Sequence, residues 1–483
     1  MTRKWYSYLV KENVWGLLTQ SASFLGGLAF ALIFPNLLGA EGFGVYALAI
    51  AVAHFWLFFA DLGITYATPF ISAGLRDGSS HLYFHLLAKW KLVLTAVAPP
   101  ALFLFSDVLA TYVYPGYPPL AFRLAAVYLF FLSPFNFLDN SFVAVQRAKY
   151  SFTVTIAYQA LRVLLPLILF YSVSRSYEAV LGGTAAAMAL SSALAILLAM
   201  MTPQFAREKG GRIDSLRLRS YVAYGALAYL AGSLLQTSDV LVIGLTQSSA
   251  AIGYYKVAMM WVIATTLFFP ISSRVLTFAH AFEEKVRSRR MFEFSVKYGI
   301  VFAFLVIAGV LLLGLPLLRL VYGDAFLPAF PVLAVLSLLS LQFVFNTASG
   351  GVLVGRGRIG AFTGVLLASS AAQAVLAYLA TPALGIVGTA LSVVAAQLGG
   401  SMVLAAQAVR LVGAEIRPEW LWRPFLAALM TFAVLAPIVP LAQGPVLTLA
   451  LVLAMAIAYV LACLLIGAAE LEEMRRVLSS ILR

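Results

Sequence analysis

Charge is what this sequence has least of. Only 11% of its 483 residues are Asp, Glu, Lys or Arg, against about 25% in ordinary soluble domains, which excludes an ordinary water-soluble globular chain. It has a single cysteine, Cys463, set in an apolar run. One thiol excludes an intramolecular disulfide and any thiolate metal centre, and it reads as a small buried hydrophobe. H-E-x-x-H, a lysine-bearing phosphate loop and G-x-S-x-G are all missing, so metalloprotease chemistry, ATP-driven transport and serine hydrolysis lack support. Segments between apolar runs are no longer than about 20 residues, too short for a soluble catalytic domain. The chain is not expected to be an enzyme or to hold a cofactor or metal.

What is present is apolar. Hydrophobic residues make up 63% of the chain, and runs of about 18 or more recur, each long enough to cross a hydrocarbon core. Barrel strands alternate polar and apolar residues over about 10 positions; these runs do not. The expectation is an all-α polytopic membrane protein with about fourteen spans. The first six are Asn13–Phe34, Val45–Ala73, Leu86–Leu109, Leu120–Val143, Phe152–Tyr171 and Ala179–Met201. Six more follow: Tyr221–Leu245, Ala251–Phe278, Val296–Leu318, Phe330–Val354, Ala361–Ala380 and Ile386–Val409. Pro424–Leu441 and Pro445–Gly467 complete the set. Pro69, Pro134, Pro166 and Pro270 are expected to bend their spans.

The net charge of +13 would suit nucleic acid if it were clustered on a soluble surface. It is instead distributed by side of the membrane. One set of segments carries Arg3, Lys4 and Lys11; Arg76, Lys89 and Lys91; Arg147 and Lys149; Arg207, Lys209, Arg212, Arg217 and Arg219. Further along it carries Arg274, Lys285, Arg287, Arg289, Arg290 and Lys297; Arg356 and Arg358; Arg410, Arg417 and Arg423; Arg475, Arg476 and Arg483. The opposite segments carry only Arg175 and Arg319. That alternation predicts an even number of spans in the cytoplasmic membrane with both termini cytoplasmic, the N-terminus being retained rather than cleaved. Anionic membrane lipids are the expected partner of these basic segments, and nucleic acid is not.

The chain also echoes itself. Gly44 and Tyr46 of Gly42-Phe43-Gly44-Val45-Tyr46 recur 209 residues later as Gly253 and Tyr255. Arg147 and Lys149 fall on Arg356 and Arg358 at the same offset, and Gly183-Thr184-Ala185 resembles Gly388-Thr389-Ala390. Three echoes in one order predict two parallel six-helix repeats plus two C-terminal helices. The corresponding divisions are 1–203, a basic cytoplasmic linker at 204–220, 221–411, and 412–483. Six spans separate the copies, so both enter the membrane in the same sense, as suits two lobes rocking about a central cavity. The glycines are read as forming the turn of each first hairpin, and Tyr46 and Tyr255 as interfacial aromatics.

The hairpin Leu38-Gly39-Ala40-Glu41-Gly42-Phe43-Gly44-Val45-Tyr46, followed by Ala60-Asp61-Leu62-Gly63, resembles that of the Wzx-like polysaccharide-biosynthesis flippases. These form a branch of the multidrug/oligosaccharidyl-lipid/polysaccharide exporter superfamily. Ser238–Gly244, Gly253-Tyr254-Tyr255, Gly355–Arg358 and Pro382–Ala390 are similar to later segments of that family. The resemblance implies two six-helix lobes plus two helices, and translocation of a lipid-linked oligosaccharide on a polyprenyl phosphate or diphosphate. A multidrug exporter of the same superfamily is the alternative transporter. A membrane glycan ligase or polymerase is disfavoured by the short, nearly uncharged external loops.

Charges inside spans are costly and so point to partners or aqueous cavities. Arg162 lies about 11 residues into its span, roughly 16 Å deep, too deep to snorkel easily; it is expected to meet a substrate phosphate or an internal ion pair. Arg123 and Lys256 are further substrate-cavity candidates. Arg123 could equally snorkel to the outer interface, and Lys256 could pair with Asp239 across the hairpin between them. Asp61, Asp139 and His54 are candidates for binding a coupling cation. For the two acids the competing reading is capping or pairing with a basic loop such as that of Arg147. For His54 it is plain packing among aromatics. Finally, Gly355-Arg356-Gly357-Arg358-Ile359-Gly360 satisfies G-x-G-x-x-G but is read as a basic turn between spans, not a dinucleotide site.

Overall fold

The computed structural model describes residues 3–75, 78–206, 213–266, 285–441 and 444–470. Among them the chain is helical with no strand. The long helices are α1 (Arg3–Trp56), α2 (Ser80–Leu104), α3 (Pro119–Ala144), α4 (Ala148–Ser172), α5 (Tyr177–Met200), α6 (Ser215–Thr246) and α7 (Ser249–Thr266). Then come α8 (Lys285–Tyr322), α9 (Phe330–Leu336), α10 (Leu339–Gly355), α11 (Ile359–Val412), α12 (Glu419–Leu435) and α13 (Pro445–Ile466). They group into two compact units, one within Met1–Lys256 and one within Val257–Arg483. The first hairpin of the second repeat thus packs largely with the first repeat.

Two of these helices are hairpins. A straight 54-residue α1 would run about 81 Å, far beyond a bilayer core of about 30 Å. It is broken at Gly39, whose φ of 67° and ψ of 176° only glycine adopts without strain. The chain folds back there, because the rings of Phe30 and Tyr46 meet at 5.3 Å, where a straight helix would separate them by about 24 Å. Gly39 alone makes the turn. Gly42 and Gly44 lie within the helix beyond it, which corrects the expected glycine-rich turn. In α11 the same device recurs at Gly385 (φ 59°, ψ −148°). Across that break the Thr381 and Thr389 hydroxyls meet at 2.7 Å, and the Gln397 amide donates to Gln373 Oε1 at 2.8 Å.

Nine helices among the described residues are long and apolar enough to cross a membrane, and ten if the pair bent by 42° at 337–338 counts as one. Both hairpins are counted once in that set. The chain is therefore a multi-pass helical membrane protein, with the expected total of about fourteen spans left unfixed by length and composition.

The repeat is visible in backbone geometry. At the end of α3 the Arg147 amide bonds to the Phe142 carbonyl at 2.8 Å, and Gln146 has φ 62°. At the end of α10 the Arg358 amide bonds to Leu353 at 2.7 Å, and Gly357 has φ 75°. Both are left-handed helix stops of the Schellman type. They lie 211 residues apart, so Arg147 corresponds to Arg358 rather than to Arg356. The G-x-G-x-x-G string is this helix–helix turn.

The second expected span, Val45–Ala73, does not persist as one helix. It stops at Trp56, and turns carry the chain through Leu62 (φ 43°) and Gly63 (φ 82°). Pro69 opens the short helix Pro69–Ala73 instead of bending a long one, whereas Pro134 and Pro166 do lie inside α3 and α4. Pro270 lies outside the described residues, as do Arg76, Arg207, Lys209, Arg212, Arg274, Arg475, Arg476 and Arg483.

Buried polar bonds hold this break. The Asp61 carboxylate accepts from Lys91 Nζ at 2.5 Å, from the Thr65 hydroxyl, and from the Thr65 amide at 3.2 Å. Lys91, expected in a cytoplasmic segment, sits inside α2, and the two side chains are 3% and 0% exposed. Trp56 Nε1 donates to the Ala98 carbonyl at 2.8 Å, tying the end of α1 to α2. Removing one member of such a pair strands a buried charge and costs roughly 3–5 kcal/mol. Lys91→Met should therefore lower the thermal midpoint of detergent-solubilised protein sharply, and Asp61→Asn/Lys91→Met should recover most of the loss. A Lys91→Met variant as stable as the parent would show that the pair does not hold the break.

Candidate functional site

Arg162 lies in the middle of α4, and its side chain is half-buried. The guanidinium lies 4.8 Å from the Phe30 ring centroid and 5.6 Å from that of Tyr158. Nη1 donates to Gln159 Oε1 at a long 3.4 Å. Nε is fully enclosed and has no hydrogen-bond partner among the described residues. No carboxylate pairs with Arg162 among the described residues. That removes the expected internal ion pair.

Tyrosines surround the charge. Tyr46, Tyr128 and Tyr158 are all within electrostatic reach of Arg162, and the hydroxyls of Tyr128 and Tyr158 lie 3.4 Å apart. Tyr46 bonds to Thr184 of α5. Room for Gln159 comes from Gly26, where an added Cβ would fall 2.5 Å from Gln159 Oε1. His54 stands edge-on to Tyr128 with ring centroids 5.9 Å apart, so it does pack as an aromatic. The Arg162 and Lys256 charges both act on it.

Asp239, 3% exposed, sits on α6. Its carboxylate accepts from the Tyr255 hydroxyl at 2.9 Å and from the Val240 amide at 2.8 Å. The expected Asp239–Lys256 salt bridge is replaced by this tyrosine bond, although Lys256 is near enough to act on the carboxylate. The reason is helical geometry: consecutive residues point about 100° apart, and Tyr255 takes the face towards Asp239.

Tyr46 and Tyr255 are thus not interfacial. They are 5% and 0% exposed and each packs on the partner helix of its own hairpin. At the 209-residue offset Phe30 corresponds to Asp239 as Tyr46 does to Tyr255. The same pair of positions holds a ring–ring contact beneath Arg162 in one copy and a carboxylate–phenol bond in the other.

The remaining candidates lie elsewhere. Arg123 donates twice to Asp107, at 2.8 and 2.9 Å, and to Ser106 Oγ at 3.2 Å; the paired side chains are 41% and 60% exposed. It is tied to the α2–α3 connection rather than to the Arg162 group. Asp139 accepts from Ser151 at 2.6 Å, linking α3 to the start of α4, and Asp61 is held by Lys91. Among the described residues no cluster of His, Cys, Asp and Glu could hold a metal ion. Sequence reasoning missed Lys91, Tyr128, Tyr158 and Gln159. Tyr158 and Gln159 carried a signal, being four and three residues before Arg162 on one helical face.

The geometry brings Arg162, His54, Lys256 and Asp239 into one electrostatic group with several phenols and excess positive charge. An arrangement of this kind can receive an anion between aromatic faces and hydroxyl donors.

Known proteins place the chain. Its architecture is similar to that of the lipid II flippase MurJ in an inward closed conformation, with TM-score 0.73 and 11% identity over 95% of this chain and 98% of that one. It is also similar to a MOP superfamily transporter from Pyrococcus furiosus, with TM-score 0.60, 13% identity, and 84% and 95% of the chains covered. An inward-facing multidrug resistance MATE family transporter gives 0.58, 14%, 83% and 94%. At these identities the likeness establishes the fold. No curated protein matches the sequence. The family model described as polysaccharide biosynthesis protein matches residues 9–277, more than half the chain, and the protein belongs to that family.

Proposed function

We propose that the protein is a flippase that moves a lipid-linked oligosaccharide across the cytoplasmic membrane by alternating access. The observation that carries this reading is Arg162. A guanidinium in mid-membrane with an orphaned Nε and no carboxylate is costly to keep, and it is the group a polyprenyl phosphate or diphosphate would satisfy. Guanidinium binds phosphate oxygens in a fork, a geometry lysine cannot copy. The phenols and the Gln159 amide offer hydrogen bonds to sugar hydroxyls, and the apolar tail stays in the bilayer. The family match supports a substrate from polysaccharide biosynthesis, and a lipid II flippase shares the fold. The charge bias along the sequence supports cytoplasmic termini against anionic lipids. A site for cationic drugs is a poorer fit, because the group sets two cations, Arg162 and Lys256, against the one carboxylate of Asp239.

Two measurements test the site. Arg162→Ala should cut transfer of lipid-linked glycan to the outer face at least about tenfold, the equivalent of losing one charge-assisted hydrogen bond, with Arg162→Lys recovering only part. Depleting the protein should accumulate the lipid-linked glycan on the cytoplasmic face. Wild-type transfer by Arg162→Ala at equal protein level would refute the phosphate role.

The pairing of Asp239 is separable by a double-mutant cycle on thermal stability. Asp239→Asn and Tyr255→Phe should be non-additive by about 1.5 kcal/mol, as for a bond to a charged group. Asp239→Asn and Lys256→Ala should be close to additive. The reverse pattern would restore the lysine as the true partner.

A further inference from the structure

A second set of polar side chains lies further along the same helices than Arg162. Helices α3 and α4 are joined at Arg147, so their other ends, Pro119 and Ser172, lie on one side. From that side Arg162 is about 15 Å along α4 and Asn136 about 26 Å along α3. The Asn140 amide, one turn on, donates to the Asn136 carbonyl at 2.9 Å and to Asn136 Oδ1 at 3.2 Å. Asn136 is in turn hydrogen-bonded to the Tyr229 hydroxyl of α6. Tyr229 stands edge-on to Tyr66, with ring centroids 6.0 Å apart. Asn136, Asn140 and Tyr229 are half-buried, and Tyr66 is 46% exposed.

Amides and phenols left accessible at this depth face water or a ligand, since hydrocarbon offers them no partner. Helix α6 shows where the room is. Gln236 is exposed and lies two turns beyond Tyr229, within about 20° of the same face. Between them Gly232 has open space where a Cβ would point. A cleft therefore runs along this face of α6, from the Tyr229–Asn136 bridge to within a turn of Asp239 in the Arg162 group.

The bonding leaves both ends of this chain of groups open. Asn140 donates to Asn136 and Asn136 to Tyr229, so the Tyr229 hydroxyl hydrogen is free to donate and Asn140 Oδ1 to accept. Neighbouring hydroxyls on a sugar ring each donate and accept, which matches such a pair of ends. The Tyr66 and Tyr229 rings offer apolar surface to the C–H groups of the same ring. The ionised side chain that acts on both phenols is Asp61, an acid already closed by Lys91. A sugar carboxylate would lose its hydration there without gaining a countercharge.

We propose that Asn136 and Tyr229, with Asn140 and Tyr66, form a subsite for an uncharged pyranose among the first two sugars after the phosphate, selecting it over a uronate. This rests on the flippase reading above, in which Arg162 holds the phosphate. The two levels are about 10 Å apart along the helices, within reach of sugars attached to a phosphate at Arg162.

The test measures dissociation constants of the full chain in phosphatidylcholine nanodiscs for four lipids: undecaprenyl diphosphate alone, or carrying cellobiose, chitobiose or diglucuronate. Both neutral disaccharides should bind at least about fivefold more tightly than the bare lipid, the size of one neutral hydrogen bond, and the diglucuronate no more tightly than the bare lipid. Asn136→Leu and Tyr229→Phe should each remove most of that gain and leave the constant for the bare lipid unchanged. A merely structural role would shift all four together. Gly232→Leu, which builds into open space, should remove the gain by filling the cleft, and it carries the test if Asn136→Leu is not monodisperse. Arg162→Ala should weaken all four lipids alike. Neutral sugars that add nothing in the parent protein, or Asn136 and Tyr229 variants that lose the bare lipid equally, overturn the subsite and leave the phosphate reading standing. Unchanged binding of the bare lipid by Arg162→Ala refutes the phosphate reading instead, and a parent protein that binds none of the four overturns both.

Discussion

The hydrocarbon interior gives a polar group no water to fall back on, and the architecture follows from how each such group is answered. Helices satisfy the backbone along most of the chain. Where the chain must turn or break, the answer is local. Gly39 and Gly385 supply dihedrals that reverse α1 and α11 within a residue. The break after Trp56 is longer and needs side chains: Lys91 and Thr65 close on Asp61, and Trp56 on the Ala98 carbonyl. Gln373 and Gln397 answer one another in the second unit. Against that background the enclosed Nε of Arg162 is, like that of Arg423, one of a few buried polar atoms without a partner among the described residues, and its neighbours are rings, phenols and one distant amide oxygen.

Duplication supplied two similar frames, and divergence filled them differently. The Schellman stops after α3 and α10 have kept their hydrogen bonds with a glutamine in one copy and a glycine in the other at the left-handed position. The Ala40/Gly44 and Ser249/Gly253 pairs have kept small residues, since only these admit the backbone contact between them. The facing positions Phe30 and Asp239 have changed character altogether. A ring at position 30 gives Arg162 a cation–π surface, and the carboxylate at 239 accepts from the Tyr255 hydroxyl instead. Constraint on the backbone and freedom in the side chains together leave the group cationic.

The fold class was legible because it depends on sums: apolar run length and the side on which lysines and arginines fall need no three-dimensional detail. Hairpin positions were legible for the same reason, and the offset between copies was right at Gly44 and Tyr46. It failed by two residues at Arg147, because insertions accumulate in turns, where a basic residue is exchangeable for its neighbour. Lys91 was misplaced because a lysine near a span edge resembles a topogenic charge, and only the partner 30 residues earlier shows that it is buried. The mid-helix place of Arg162 was legible from its distance into the span. Its tyrosine surroundings were not, since the helices that bring Tyr46 and Tyr128 to it are distant in sequence, and aromatics in a membrane chain default to the interface. Arg123 was ambiguous on sequence and resolves once Asp107 is seen across a short connection.

The buried ion pair and the unpaired arginine use the same medium in opposite ways. In low dielectric, Asp61 and Lys91 attract strongly and resist separation, which suits a corner that must keep its shape. The same medium makes an uncompensated guanidinium at Arg162 receptive to any anion that can reach it, and the gain is released when that anion departs. A carboxylate fixed opposite Arg162 would have stabilised the resting protein and abolished that difference. By giving Asp239 to Tyr255, and by setting Phe30 where the other copy has an acid, the chain leaves the Arg162 guanidinium without a carboxylate among the described residues, a charge that the proposed function assigns to its cargo.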